Sequence, residues 1–95
     1  MKARLLLRER VVLSEASFVE LVVWQVPQPV RGSAHSFKYR LALVADGMCV
    51  LRYDNEAGKG DHRHVGEREG PITFTSVQEL LAAFRADVEA WRAGR

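Results

Sequence analysis

Only one stretch of this 95-residue chain repeats its apolar residues at helical spacing, and it comes last. Val77, Leu80, Leu81, Phe84, Val88 and Trp91 form a single stripe along a helix, the pattern of a surface helix packed on a core. Ser76-Val77-Gln78-Glu79 is a capping box, in which the serine and the glutamate satisfy each other's orphan amides. Gly94 is a C-terminal stop signal. With one helix available, most of the remaining apolar residues must lie in strands. Residues 3–13 and 17–26 are rich in Leu, Val and Phe with charges interleaved, and Ser14-Glu15-Ala16-Ser17 between them suits a hairpin loop. Pro27, Pro29 and Gly32 end the second strand, leaving residues 27–36 as a loop long enough to be mobile or to carry function.

Asp46-Gly47 between two apolar stretches is the dipeptide that a type I′ turn prefers, because both central residues need positive φ. Counting outward from that turn pairs Ala45 with Met48, Leu43 with Val50, Leu41 with Arg52 and Tyr39 with Asp54. The same count makes Arg40 and Tyr53 cross-strand neighbours on the opposite face and buries Cys49. Pro71–Thr75 reads as one more short strand before the helix. The expected fold is therefore α+β in two layers, a single domain with an antiparallel sheet of about 4–6 strands and one C-terminal helix on one face.

One helix covers one face of such a sheet. Both leading strands carry apolar residues of both parities, Leu5, Leu7 and Val11 against Leu6 and Val12, and Phe18, Val22 and Trp24 against Val19, Leu21 and Val23. The excess predicts a homodimer or another partner, or a sheet that curls onto itself. No apolar run approaches the length of a spanning helix. Arg8 and Arg10 cut the N-terminal apolar run too short for a signal-peptide core, and the lone Cys49 has no internal disulfide partner, so the cytoplasm is the expected compartment. The formal charge of +2 is unevenly spread: residues 1–40 hold seven basic residues against three acidic, and residues 52–70 hold four against five. A basic sheet suits phosphates or an acidic protein, and equally an ordinary solvated surface.

Residues 52–66 form the densest set of ionisable groups, punctuated by Gly58, Gly60 and Gly66, and lack the Walker spacing of a phosphate loop. His62 and His64, as alternate residues of an extended segment, share a face from which Asp61 and Arg63 point away. Three readings stay open. The pair binds a divalent metal with Asp54 as third ligand. Or His62 and His64 act as acid and base in phosphodiester cleavage, with Asp61 or Asp54 orienting an imidazole and Lys59, Arg63 or Arg52 stabilising the charged phosphorane. Or the histidines and Asp61 only tie down the loop and the helix N-terminus. Arg40 and Tyr53 are placed to stack on a base or on each other, Asp54-Asn55 to stabilise a turn, and His35 to face solvent between two serines.

The run Val50-Leu51-Arg52-Tyr53-Asp54-Asn55, then Gly58-Lys59-Gly60-Asp61-His62-Arg63-His64, then Phe74-Thr75-Ser76 and Leu80-Leu81, resembles the TumE family of small bacterial proteins. Phe18-Val19-Glu20, Val23-Trp24 and Phe37-Lys38-Tyr39-Arg40 fit the same pattern, so the resemblance spans nearly the whole chain. Family members are described as toxins of type II toxin–antitoxin pairs, encoded beside a helix-turn-helix antitoxin. The resemblance thus implies a cytoplasmic growth inhibitor silenced by direct contact with a helix-turn-helix antitoxin. Toxins of this size often act on RNA, with which the basic sheet and the histidine-rich loop are compatible, and the runner-up is a non-enzymatic module binding nucleic acid or protein.

Overall fold

A computed structural model describes residues 2–94. Six antiparallel strands run in chain order across one sheet, β1 (Arg4–Ser14), β2 (Ser17–Gln25), β3 (Phe37–Ala45), β4 (Met48–Asp54), β5 (His62–Val65) and β6 (Arg68–Pro71), followed by α1 (Val77–Ala93). The order is linear, with β1 and β6 at the edges, so the sheet does not curl into a barrel. The expected α+β architecture with a C-terminal helix holds. The short strand expected over Pro71–Thr75 does not: β6 ends at Pro71, and the β-prone Ile72–Thr75 is connector outside any strand. Among the described residues, no helix is long and apolar enough to cross a membrane.

The turns follow from their residues. Asp46 and Gly47 both adopt positive φ, 52° and 76°, as a type I′ turn requires. The β5–β6 hairpin turns on Gly66-Glu67, with Gly66 at φ 60° and Glu67 at negative φ, the signature of glycine in the first position of a type II′ turn. Ser76 caps α1 by accepting from the Glu79 amide at 3.1 Å.

The β3–β4 register departs from a plain count outward from the turn. Ala45 pairs with Met48 and Val44 with Cys49, but Leu43 then pairs with Leu51, leaving Val50 as the extra residue of a bulge. This one-residue shift reverses the face of everything beyond it. Leu51 and Tyr53 join Tyr39, Leu41 and Leu43 beneath α1, while Arg52 and Asp54 join Arg40 and Ala42 on the other face. Tyr53 therefore neighbours Leu41, and Arg40 neighbours Asp54. The plain count had set Arg52 against Leu41; the bulge removes that mismatch and gathers the apolar residues into one core. Val19, Val23, Leu80, Phe84 and Val88 complete it. Cys49, expected inside, is exposed beside the turn.

Helix and sheet are tied by polar contacts at the margin of the core. The Tyr53 ring meets Phe84 edge-on, its hydroxyl donates to Asp87 of α1, and Arg63 Nε donates to the same carboxylate at 2.8 Å. Both tyrosines of the chain are buried and bonded to carboxylates, Tyr53 to Asp87 and Tyr39 to Asp61. Burial first, and the bonded carboxylate next, push both phenols far above the ordinary tyrosine range. An unfolded chain ionises its tyrosines near pH 10, so the stability that the two protonated phenols contribute is fully present below about pH 10 and declines above it. An alkaline titration followed at 295 nm should show no tyrosinate until circular dichroism reports unfolding. A phenol ionising near pH 10 in intact protein would contradict the packing.

Candidate functional site

The chemistry-bearing loop folds against the other long loop of the chain. Gly32 and Gly60, at φ 89° and 88°, bring their backbones into direct contact. A Cβ on Gly32 would lie 2.5 Å from Gly60 N, and one on Gly60 would lie 2.8 Å from Gly32 O. Only glycine fits both the conformation and the approach. Asn55, with 0% of its surface exposed, latches the same junction. It accepts from Tyr39 N at 3.0 Å and donates to Phe37 O at 2.7 Å and Ser33 Oγ at 3.1 Å. The turn role read for Asn55 becomes that of a buried clamp between β3 and the loop over 26–36.

Asp61 is the hub of this junction. Its carboxylate accepts from Tyr39 Oη at 2.7 Å, His35 Nε2 at 2.8 Å and Ser33 Oγ at 3.4 Å. The Phe37 amide donates to His35 Nδ1 at 3.2 Å, so the ring is the neutral tautomer with its hydrogen on Nε2. Both ring nitrogens are thus engaged, and the ring stacks on Phe74 with centroids 3.7 Å apart. His35, expected in solvent, is packed and bonded in this clasp. Asp61 does orient an imidazole, but it is that of His35 rather than His62 or His64. His35 lies 26 residues before Asp61; the loop length of residues 27–36 was the only sequence signal pointing to it.

His62 and His64 point to the face that α1 leaves bare. Their register partners there are Asp54 and Pro71 for His62, and Arg52 and Glu69 for His64. His62 Nδ1 donates to Gly60 O at 3.0 Å, and Nε2 faces the Glu69 carboxylate. His64 Nε2 accepts from Arg52 Nη2 at 3.1 Å, which places the hydrogen on Nδ1. The ring centroids are 6.4 Å apart. Glu69 stands beside both, 3.7 Å from His62 Nε2 and 3.9 Å from His64 Nδ1, with Lys59 Nζ 3.6 Å from the same carboxylate. Glu69 is the member of the cluster that sequence reading missed, and β5–β6 hairpin pairing is what brings it in.

The remaining expected residues divide between the faces. Arg52 Nε lies 2.8 Å from Asp54 Oδ2, so this pair sits on the bare face with the histidines. Arg40 is exposed next to Asp54 in register. Arg63 and Tyr53 lie on the helix face, held by Asp87, and neither reaches the histidines. The metal reading finds no support: Asp54 is occupied by Arg52, and among the described residues no three His, Cys, Asp or Glu side chains are arranged to hold an ion.

A family model described as Toxin TumE matches residues 2–92. The chain belongs to that family. No curated protein and no solved structure matches it. As a member of the TumE toxins it has, in its family, the expectation of an antitoxin partner. The histidine-rich heptad that carried the resemblance is, in this TumE member, the segment joining the Asp61 clasp to the bare sheet face.

Removing the Asn55 clamp tests the junction. Asn55→Ala deletes three hydrogen bonds at a site closed to water, and should lower stability by about 2–4 kcal/mol in urea unfolding. A loss below about 0.5 kcal/mol, the ordinary scale of surface changes, would show that the two loops are not held this way.

Proposed function

We propose that this TumE toxin is the toxic component of a type II pair and acts on RNA with the sheet face opposite α1. The observation that carries this reading is the composition of that face. Arg10 lies 3.9 Å over the Phe18 ring. Trp24 pairs with Lys38, Val22 with Arg40 and Ala42 with Arg52, and the face ends in His64 and His62. Aromatic rings interleaved with guanidinium and ammonium groups on a bare sheet form a stacking and phosphate-binding platform for single-stranded RNA.

At the histidine end this reading gives the two imidazoles the roles of base and acid. His62 Nε2 takes the proton of a ribose 2′-hydroxyl as its oxygen attacks phosphorus. The bond from phosphorus to the 5′-oxygen breaks, and a proton from His64 passes to that oxygen. The products are a 2′,3′-cyclic phosphate and a 5′-hydroxyl. An arriving phosphate competes with His64 for Arg52, and once Arg52 turns to the phosphate, His64 Nε2 is free to carry the proton it donates. Arg52 and Lys59 stabilise the phosphorane charge, and Asp61 acts at one remove by fixing the start of β5.

The Arg52–His64 bond also favours a second reading, a face that binds RNA without cutting it, because it occupies the nitrogen that an acid would use. Product analysis separates the two. His62→Ala and His64→Ala, checked for folding by circular dichroism, should each abolish growth inhibition and the cyclic-phosphate products while retaining RNA binding. Unchanged inhibition in both folded variants would remove the catalytic assignment. Wild-type protein that binds RNA and yields no cyclic phosphate would favour the binding module. Arg10→Gln and Arg40→Gln should each weaken RNA binding and reduce its salt dependence by about one phosphate contact; an unchanged slope would place the RNA elsewhere.

A further inference from the structure

The bare edge of the sheet carries an observation that the RNA reading leaves unused. β1 is 11 residues long and pairs with β2 on one side only, whereas the opposite edge, β6, has 4 residues. Natural sheets keep edge strands short or blunted, because the unpaired amides and carbonyls are a template for another chain; β1 has irregularities at Leu6 and Leu13 but runs in unbroken register from Leu7 to Val12. Apolar residues on β1 remain accessible along its length, Leu5 and Leu6 at 42%, Val11 at 38% and Val12 at 71%. Beside the edge, α1 leaves a groove of about 250 Å³ against β1, with Val11, Leu13, Leu81, Phe84 and Val88 in its lining and Glu9, Arg85 and Glu89 as its charged members.

The two faces of β1 differ in chemistry. Leu7 and Val11 pair with Val23 and Val19 on the helix side and Leu13 lines the groove beside Val11, while Arg8 and Arg10 point to the bare face. On the bare face Arg8 stands opposite Val22 and Arg10 opposite Glu20, while Glu9 lies on the helix side opposite Leu21. A second copy of the chain is a poor fit. An antiparallel two-fold centred on Arg8, Glu9 or Arg10 sets arginine directly against arginine, and like charges in register are destabilising.

We propose that β1 accepts a strand from the neutralising partner protein, an extended segment in which apolar residues alternate with acidic ones. Its backbone completes the open side of β1, its apolar side chains enter the groove beneath α1, and its carboxylates meet Arg8 and Arg10. This inference rests on the reading of the chain as a toxin held by a protein partner, and it adds the surface and the chemistry of that contact. A strand bound there would also lay its acidic side chains beside the platform proposed for RNA, so that neutralisation and substrate exclusion would share one edge.

The test uses the full chain and three synthetic peptides: one alternating valine with glutamate, one alternating valine with lysine, and a scramble of the first. Hydrogen exchange should show the glutamate peptide protecting the β1 amides that point away from β2. Arg8→Glu combined with Arg10→Glu should weaken that peptide at least about tenfold and gain affinity for the lysine peptide. Equal binding of the scramble, or no protection in β1, would overturn the proposal. So would sedimentation of the free protein as a dimer with β1 already protected. Growth inhibition is scored separately. A chain that inhibits growth without β1 protection loses the docking edge and keeps the toxin reading; one with β1 protection and no inhibition loses the toxin reading and keeps the edge as a strand acceptor.

Discussion

One carboxylate decides where the chemistry of this molecule points. Asp61 sits between the two long loops, and a half-buried carboxylate is tolerated only with donors around it. Here Tyr39, His35 and Ser33 supply them. Its own carbonyl also accepts from Ile72 N at 3.0 Å, which ties the start of β5 to the chain beyond β6. With Asp61 held, the next residues enter β5 in a fixed register, and alternation sends His62 and His64 to the face away from α1. A slip of one residue would turn both imidazoles into the core and Arg63 out of reach of Asp87. The contact of Gly32 with Gly60 and the Asn55 clamp serve the same end, since they set the height of the loop that Asp61 closes.

The sheet thereby acquires two unlike faces. Beneath α1 lie the aliphatic residues, Phe84, and two tyrosines whose hydroxyls reach carboxylates at the margin. On the other face lie Arg8, Arg10, Arg40, Arg52, Trp24, Phe18 and the paired histidines, with Glu69 among them as the one carboxylate close to both rings. The bulge at Val50 makes this division possible. It lets β4 leave the turn in one parity and arrive at the polar end in the other, so that Leu51 and Tyr53 are buried while Arg52 and Asp54 remain with the histidines.

Much of the fold was legible because it is written in local signals. The Asp46-Gly47 turn, the Ser76 cap and the stripe from Val77 to Trp91 each need only a few neighbouring residues, and alternation alone put His62 and His64 together. What depends on contact across the chain was not legible. The clasp between His35 and Asp61 joins two loops that no short-range pattern connects, so a packed, partly buried histidine read as a solvent-facing one. The bulge did leave a trace: the plain register set Leu41 against Arg52 and Tyr39 against Asp54, a mismatch that one inserted residue repairs. Glu69 was hidden because Gly66-Glu67 was not read as a hairpin turn, so β5 and β6 were not seen to pair. Tyr53 was assigned to the wrong face for the same reason as the register, whereas alternation along β5 did place Arg63 on the face away from the histidines.

The central claim is that the face opposite α1, and not the helix face, meets RNA. Photo-cross-linking of the intact protein to single-stranded RNA, followed by mass spectrometry of the linked peptides, addresses it most directly. Links should concentrate at Phe18, Trp24, Arg40, His62 and His64, which share that face. Links confined to α1 or to Arg63 and Tyr53, or none above background, would contradict it.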